Sequence, residues 1–203
     1  MTGELAFFGA FNPPTLAHLS LARFAMERTG GKRVYFVPSK VEYIREEQEK
    51  AGAYGDAERL KMLRAAMRER PWMEVCDWEI GSARQPRTYE TLCRFRENGH
   101  MPALLLGSDK LNELDRWFRV EDIAREFGIV CLTRGGDERA RLTRENAFLR
   151  RMAPHILVLE APAETRRISS TAVRERIAKI RKLEKEIADM VPPEILPYLR
   201  REE

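Results

Sequence analysis

Six short apolar runs, each followed by a longer stretch with helical spacing, constrain this chain more than any other feature. The runs lie at 5–8, 33–37, 73–79, 103–106, 129–132 and 156–159. Several are continuous rather than alternating, as expected for strands buried on both faces. Helices are expected at about 15–28, 56–69, 89–97, 108–117 with a continuation to 127, and 170–190. Alternating β and α elements predict an α/β chain with a mostly parallel sheet and helices on both faces. A small helical portion closes the carboxyl end.

At 203 residues such a core needs no staples. Cys76, Cys93 and Cys131 are odd in number and far apart, and the three histidines do not cluster with them. Neither a disulfide framework nor a zinc site is expected. No apolar run approaches the roughly 20 residues of a membrane helix. The apolar opening at 5–11 is short, follows Glu4 and lacks a basic head, so it reads as a buried strand rather than a signal peptide. A cytoplasmic location without membrane attachment is expected. The formal net charge of +4 is mild, and acids interleave with the arginines at 137–151 and 175–185. That balance suits a solvated helix face or anionic small substrates. No basic stripe with interleaved aromatics suggests nucleic acid.

Ligands of open α/β sheets sit beyond the carboxyl ends of the strands. The first such loop reads GAFNPPTLAH, residues 9–18. Asn12 is read as a cap, and the prolines suit the start of a helix. Thr15 and His18 then fall three apart and face the same way. A hydroxyl and an imidazole thus stand beside helix N–H groups that attract phosphate. A second segment, ISSTAVR at 168–174, follows the last strand and opens the long final helix. Ser169, Ser170 and Thr171 supply hydroxyls and backbone donors there, and Arg174 lies one turn on. Two further loops draw notice. Residues 38–55 are long and charged, the make-up of a lid, and 80–87 carry Gly81 and Pro86 and are a candidate for substrate contact. The final helix has apolar residues at Val173, Ile177, Ile180, Leu183, Ile187 and Met190, read as one packed stripe.

These two segments resemble the (His/Thr)-x-Gly-His and Ile-Ser-Ser-Thr-x-x-Arg signatures of nucleotidylyltransferases. More of the chain is similar to the nicotinate (nicotinamide) mononucleotide adenylyltransferases among them. LLLGSDKLNELDRW at 104–117 resembles their Gly-x-Asp-x-Leu…Trp segment, RTYETL at 87–92 their Thr-x-Asp/Glu-Thr-Leu segment, and ERLKML at 58–63 their Arg-x-x-Met-Leu helix. TRGG at 133–136 resembles their Arg-Pro-Gly, and VPPEILPYL at 191–199 their terminal helix. The chain departs from the pattern at Thr15 and Ala17, where histidine and glycine are usual, at Gly135-Gly136 for Pro-Gly, and at Arg87 for an aromatic residue. Thr15 occurs in related enzymes acting on phosphopantetheine, which stays open as an alternative acceptor. An inactive nucleotide-binding module is a second alternative.

The resemblance implies a single Rossmann-like nucleotidylyltransferase domain over 1–203, with a core at 1–165 and a phosphate-binding helical segment at 166–203. It implies adenylyl transfer from ATP to a pyridine mononucleotide, with pyrophosphate released. His18, Thr15 and Arg174 would be the catalytic donors. Gly9, Ala10, Phe11, Asn12, Gly107, Asp109, Ile168, Ser169, Ser170 and Thr171 would bind ATP, with Asp109 open to a second reading as a helix cap. Lys40 and Arg134 would bind the acceptor phosphate or stand as solvated cations. Thr88 and Tyr89 would sit over the acceptor's base, and Trp117 would stack on it or pack in the core. Mg²⁺ would arrive on the triphosphate, held by phosphate and water, with no protein metal site. Oligomeric state is not readable.

Overall fold

The computed structural model describes residues 3–46, 53–111, 113–133, 147–163, 165, 168–188 and 190. Six strands form one sheet: β1 (Glu4–Gly9), β2 (Arg33–Pro38), β3 (Met73–Val75), β4 (Ala103–Gly107), β5 (Ile129–Thr133) and β6 (Ile156–Glu160). Their order is β3-β2-β1-β4-β5-β6, and every neighbouring pair is parallel. The order reverses between β1 and β4, so the crossovers diverge there and leave a crevice beyond the carboxyl ends of those strands.

Side chains alternate along the strands and build two cores. Leu5, Val34, Phe36, Ala103, Leu105 and Val130 face α1 (Leu16–Thr29) and α3 (Asp56–Met67), which contribute Ala22, Ala25, Met26 and Leu63. Ala6, Tyr35, Val37, Leu104, Leu106 and Cys131 face α4 (Thr88–Glu97), which contributes Tyr89, Leu92 and Phe95. Each fully buried Leu or Phe here contributes roughly 1.5–3 kcal/mol. The alanines of α1 let its axis lie close to the sheet. Gly30 ends that helix with φ +67°, and Gly31 N–H returns to the Met26 carbonyl at 2.8 Å.

Three expectations from the sequence fail in instructive ways. The third strand stops at Val75 instead of 79. Among the described residues it pairs with β2 alone, and after Cys76 N–H donates to the Phe36 carbonyl at 2.9 Å the chain folds into a turn closed by Gly81 N–H on Asp77. The helix expected over 108–127 is broken. Two single 3₁₀ turns, Ser108–Lys110 and Leu114–Arg116, precede Arg119 in the left-handed region at φ +53°. A three-residue helix α5 (Val120–Asp122) then runs into the wide π turn Ile123–Phe127. The apolar spacing of Leu111 and Leu114 still buries both, which is why periodicity suggested a continuous helix. The stretch 38–55 is not all loop, because Val41–Glu46 forms a short helix, α2, with Val41 and Ile44 buried; residues 47–52 lie outside the described residues.

Helix α6 (Ala147–Met152) was not foreseen, and the last helix, α7, spans Ser170–Ala188. Its apolar stripe is only partly packed in this chain. Val173 and Ile177 are half-buried, whereas Ile180 and Leu183 are 56% and 58% exposed. No helix among the described residues is long and apolar enough to cross a membrane.

Candidate active site

β1 delivers its last residue, Gly9, to the crevice, and a Cβ there would meet the Phe11 ring at 3.2 Å. Phe11 holds φ +43°, an uncommon conformation for a bulky residue. Its ring is buried and meets the His18 imidazole edge-on at 5.2 Å, with Phe7 at 6.1 Å on another side. Thr15, not Asn12, is the residue that starts α1, with extended backbone before the first helical residue, Leu16. Thr15 N–H donates to His18 Nδ1 at 3.0 Å, and the Thr15 hydroxyl lies 2.8 Å from the same nitrogen. A ring that accepts at Nδ1 carries its proton on Nε2 when neutral. Local geometry therefore sets both the direction and the tautomer of the imidazole.

Asn12 has a different task. It is buried, follows no helix start, and precedes a cis peptide to Pro13. Its Oδ1 accepts the Tyr54 N–H at 2.9 Å. Its Nδ2 has no hydrogen-bond partner among the described residues.

The distant ISSTAVR segment docks onto this same loop. The Ser170 hydroxyl donates to the Pro13 carbonyl at 2.8 Å, and Arg174 Nη1 donates to the Asn12 carbonyl at 2.6 Å. These bonds span 157 and 162 residues of sequence. Ser169 acts as the cap of α7, accepting the Ala172 N–H at 3.1 Å. The Thr171 hydroxyl accepts from Arg174 Nη2 at 3.3 Å, and Ile168 is exposed just before the cap. The two helix beginnings thus share one face of the crevice.

Below the loop lies a residue that sequence reasoning passed over. Arg59 is 0% exposed. Its Nη1 donates to the Ala10 carbonyl at 2.7 Å, while Nη2 reaches the Ser39 carbonyl and the Asp56 carboxylate. One guanidinium therefore ties the β1 loop, the β2 loop and the start of α3. Burial pulls its pKa down, and Asp56 works against that shift. Asp56 also accepts the Val41 N–H at 2.8 Å. The ERLKML similarity contained this arginine, but only the fold reveals that it is buried.

On the β2 side, Lys40 does not project as an isolated cation. Its ammonium donates to the Ile80 carbonyl at 3.0 Å and the Ser82 carbonyl at 2.7 Å. Two of its three N–H donors are thereby committed to the 80–87 loop. α4 begins beside that loop at Thr88. Tyr89 turns its ring inward against Phe127 and places its hydroxyl 3.3 Å from the Glu126 carboxylate. Only its backbone remains for the crevice. Trp117 is half-buried against the core around Leu104 and Leu106. Gly107 ends β4, and Asp109 folds back so closely that a Cβ on Gly107 would lie 2.5 Å from its Oδ1. Arg134, Gly135 and Gly136 lie outside the described residues, as does 191–199. Among the described residues no group of three His, Cys, Asp or Glu side chains forms a metal site.

With that geometry in hand, comparison with known proteins is decisive on family. The cytidylyltransferase-like family model matches residues 6–176. The chain belongs to the cytidylyltransferase-like family. Among curated relatives of this cytidylyltransferase-like chain, a protein of Caldicellulosiruptor bescii named "Probable nicotinate-nucleotide adenylyltransferase" is 27% identical over 96% of this chain and 94% of its own length. One of the same name from Carboxydothermus hydrogenoformans is 29% identical over 95% and 92%. The solved nicotinic acid mononucleotide adenylyltransferase of Plasmodium falciparum, complexed with APC, shares the fold with a TM-score of 0.64 at 16% identity, covering 85% of this chain and 82% of that one.

Proposed function

We propose that this chain is a nicotinate-nucleotide adenylyltransferase that transfers AMP from ATP to nicotinate mononucleotide. An acceptor phosphate oxygen attacks the α-phosphorus of ATP, the bond to the bridging oxygen of the β-phosphate breaks, and pyrophosphate leaves. The carrying observation is the docking of Ser170 and Arg174 onto the Asn12-Pro13 carbonyls, which brings two phosphate-attracting helix starts to one crevice. The names of the full-length relatives support the choice of reaction and acceptor.

The attacking oxygen is already anionic, so the reaction needs alignment and positive charge rather than a general base. His18 is the principal donor in this reading. With Nδ1 engaged by Thr15, its Nε2–H is directed to the α/β-phosphate oxygens as their charge grows. Gly9, Ala10, Phe11 and Asn12 supply the loop along which the phosphates run, with Phe11 flooring His18. Thr171, the first-turn N–H groups of α7 and the remaining guanidinium N–H groups of Arg174 take the β- and γ-phosphates. Ser170 holds the loop rather than the phosphate. Asp109 is assigned to the adenosine ribose, and the first amides of α4, at Thr88 and Tyr89, to the acceptor's ring substituent. Trp117 and Arg134 are assigned to the acceptor's ring and phosphate. The phosphate-facing groups are neutral or cationic, which fits Mg²⁺ held by phosphate oxygens and water; when bound it neutralises triphosphate charge.

The test is pyrophosphate release from ATP and Mg²⁺ with nicotinate mononucleotide, nicotinamide mononucleotide and phosphopantetheine in parallel. Turnover is expected with the nicotinate nucleotide. Turnover with phosphopantetheine alone overturns the acceptor, and ATP binding with no turnover overturns the enzyme.

A further inference from the structure

Glu79 is a buried carboxylate that the reaction does not use. It is 2% exposed and lies within the Asp77–Gly81 turn that follows β3. Two donors converge on it. The Thr91 hydroxyl, itself buried on α4, donates to Oε1 at 2.8 Å. Gln85 Nε2 donates to Oε2 at 2.5 Å. The other end of the Gln85 amide, Oε1, accepts the Lys40 N–H just past β2 at 2.8 Å. The Lys40 ammonium then closes the ring by holding the Ile80 and Ser82 carbonyls. At the rim, Arg84 pairs with Glu90 through two bonds of 3.0 and 2.7 Å, and Glu90 also accepts the Arg87 N–H at 2.8 Å.

The loop 80–87 is therefore wrapped around one carboxylate that links the end of β2 to the first turns of α4. We infer that Glu79 is the positioning residue of the acceptor half of the site, setting through Gln85 and Thr91 where the α4 amides stand relative to β2. A buried carboxylate with two donors in place fixes its neighbours, and one removed leaves both donors unsatisfied. The inference rests on the function proposed above for its substrate, and on the geometry alone for its structural half.

The test measures KM for nicotinate mononucleotide and for ATP separately, with amide hydrogen exchange on the same proteins. Glu79→Ala should raise the acceptor KM about tenfold or more while the ATP KM stays within about twofold, because displacement of positioning groups acts on what they position. Glu79→Gln retains one acceptor for Gln85 and offers an amide to Thr91, so it should restore most of the acceptor KM. Gln85→Ala, on the loop side of the contact, should reproduce a smaller version of the split and guards against a Glu79→Ala protein that does not fold. Exchange should quicken at 80–91 and stay unchanged at 9–18. Equal rises in both KM values, an unchanged acceptor KM, or a Glu79→Gln variant as impaired as Glu79→Ala would each overturn the inference. If the wild type turns over no mononucleotide, the proposed function falls, and the exchange pattern alone decides the positioning role: acceleration confined to 80–91 upholds it, and uniform or absent acceleration overturns it.

Discussion

At the β1 side of the crevice the loop carbonyls of Ala10, Asn12 and Pro13 are acceptors, and donors arrive from far away: Arg59 from below, Ser170 and Arg174 from the last helix. At the β2 side the polarity is inverted. A buried acceptor, Glu79, gathers donors from Thr91 and Gln85. A guanidinium stays charged wherever the protein is folded, so the Arg59 and Arg174 contacts of the β1 side do not depend on pH. A carboxyl buried away from water titrates above the ordinary carboxylate range: burial pushes Glu79 up to about 7. Two ways of ordering a loop thus carry different sensitivities.

Removing the cation should produce the largest effect. Arg59→Met leaves Asp56 and two loop carbonyls without their donor, and should cost about 3 kcal/mol in urea denaturation while raising the KM for ATP. A loss below about 1 kcal/mol would mean that the β1 loop holds itself. Ser170→Ala removes a single hydrogen bond across the crevice, and should cost about 1 kcal/mol with the effect on KM confined to ATP.

The inverted side predicts a pH effect of definite sign. With its pKa raised in the fold, Glu79 keeps a proton that the unfolded chain has already released. Folded protein therefore binds more protons than unfolded protein between about pH 4.5 and pH 7, and stability falls as pH rises through that window. The decline should be absent in Glu79→Gln, read from thermal melts in buffers across the range. Arg59→Met should retain it. A decline that persists in Glu79→Gln would assign it to another group.

How legible each side was follows from how it is built. The β1 side rests on helix starts, and helix starts announce themselves through Thr15, His18 and Ser169 spaced against apolar residues. Even there the sequence mislocated the cap to Asn12, because the partner of buried Asn12, the Tyr54 N–H, lies 42 residues away. On the β2 side the loop 80–87, Lys40, Thr88 and Tyr89 were legible as acceptor candidates, but the carboxylate that gathers them was not. Glu79 reads as the end of a strand until the edge position of β3 cuts that strand short. Lys40 reads as a surface cation until the carbonyls of Ile80 and Ser82 are brought to it. Five of the six strands were readable because each holds a continuous apolar run, whereas β3 has Glu74 at its centre. The 108–127 helix was misread because burial of Leu111 and Leu114 survives a broken backbone.

The smallest effect is expected outside the crevice. Ile180 and Leu183 on α7 are exposed, so replacing both with serine should change the stability of the single chain by no more than about 0.5 kcal/mol. A larger loss would show that this stripe is covered in solution, and size-exclusion chromatography of the two proteins would then report the change.

The most direct test of the shared site is a double-mutant cycle on pyrophosphate release with His18→Ala and Arg174→Ala. Each single substitution should lower kcat by about 10²–10³, the loss typical of one preorganised donor. Two donors on one triphosphate should be strongly non-additive, so the double variant should lose far less than the product of the two. Losses that multiply in full, or an Arg174→Ala enzyme with wild-type turnover, would contradict a single phosphate site built from both ends of the chain.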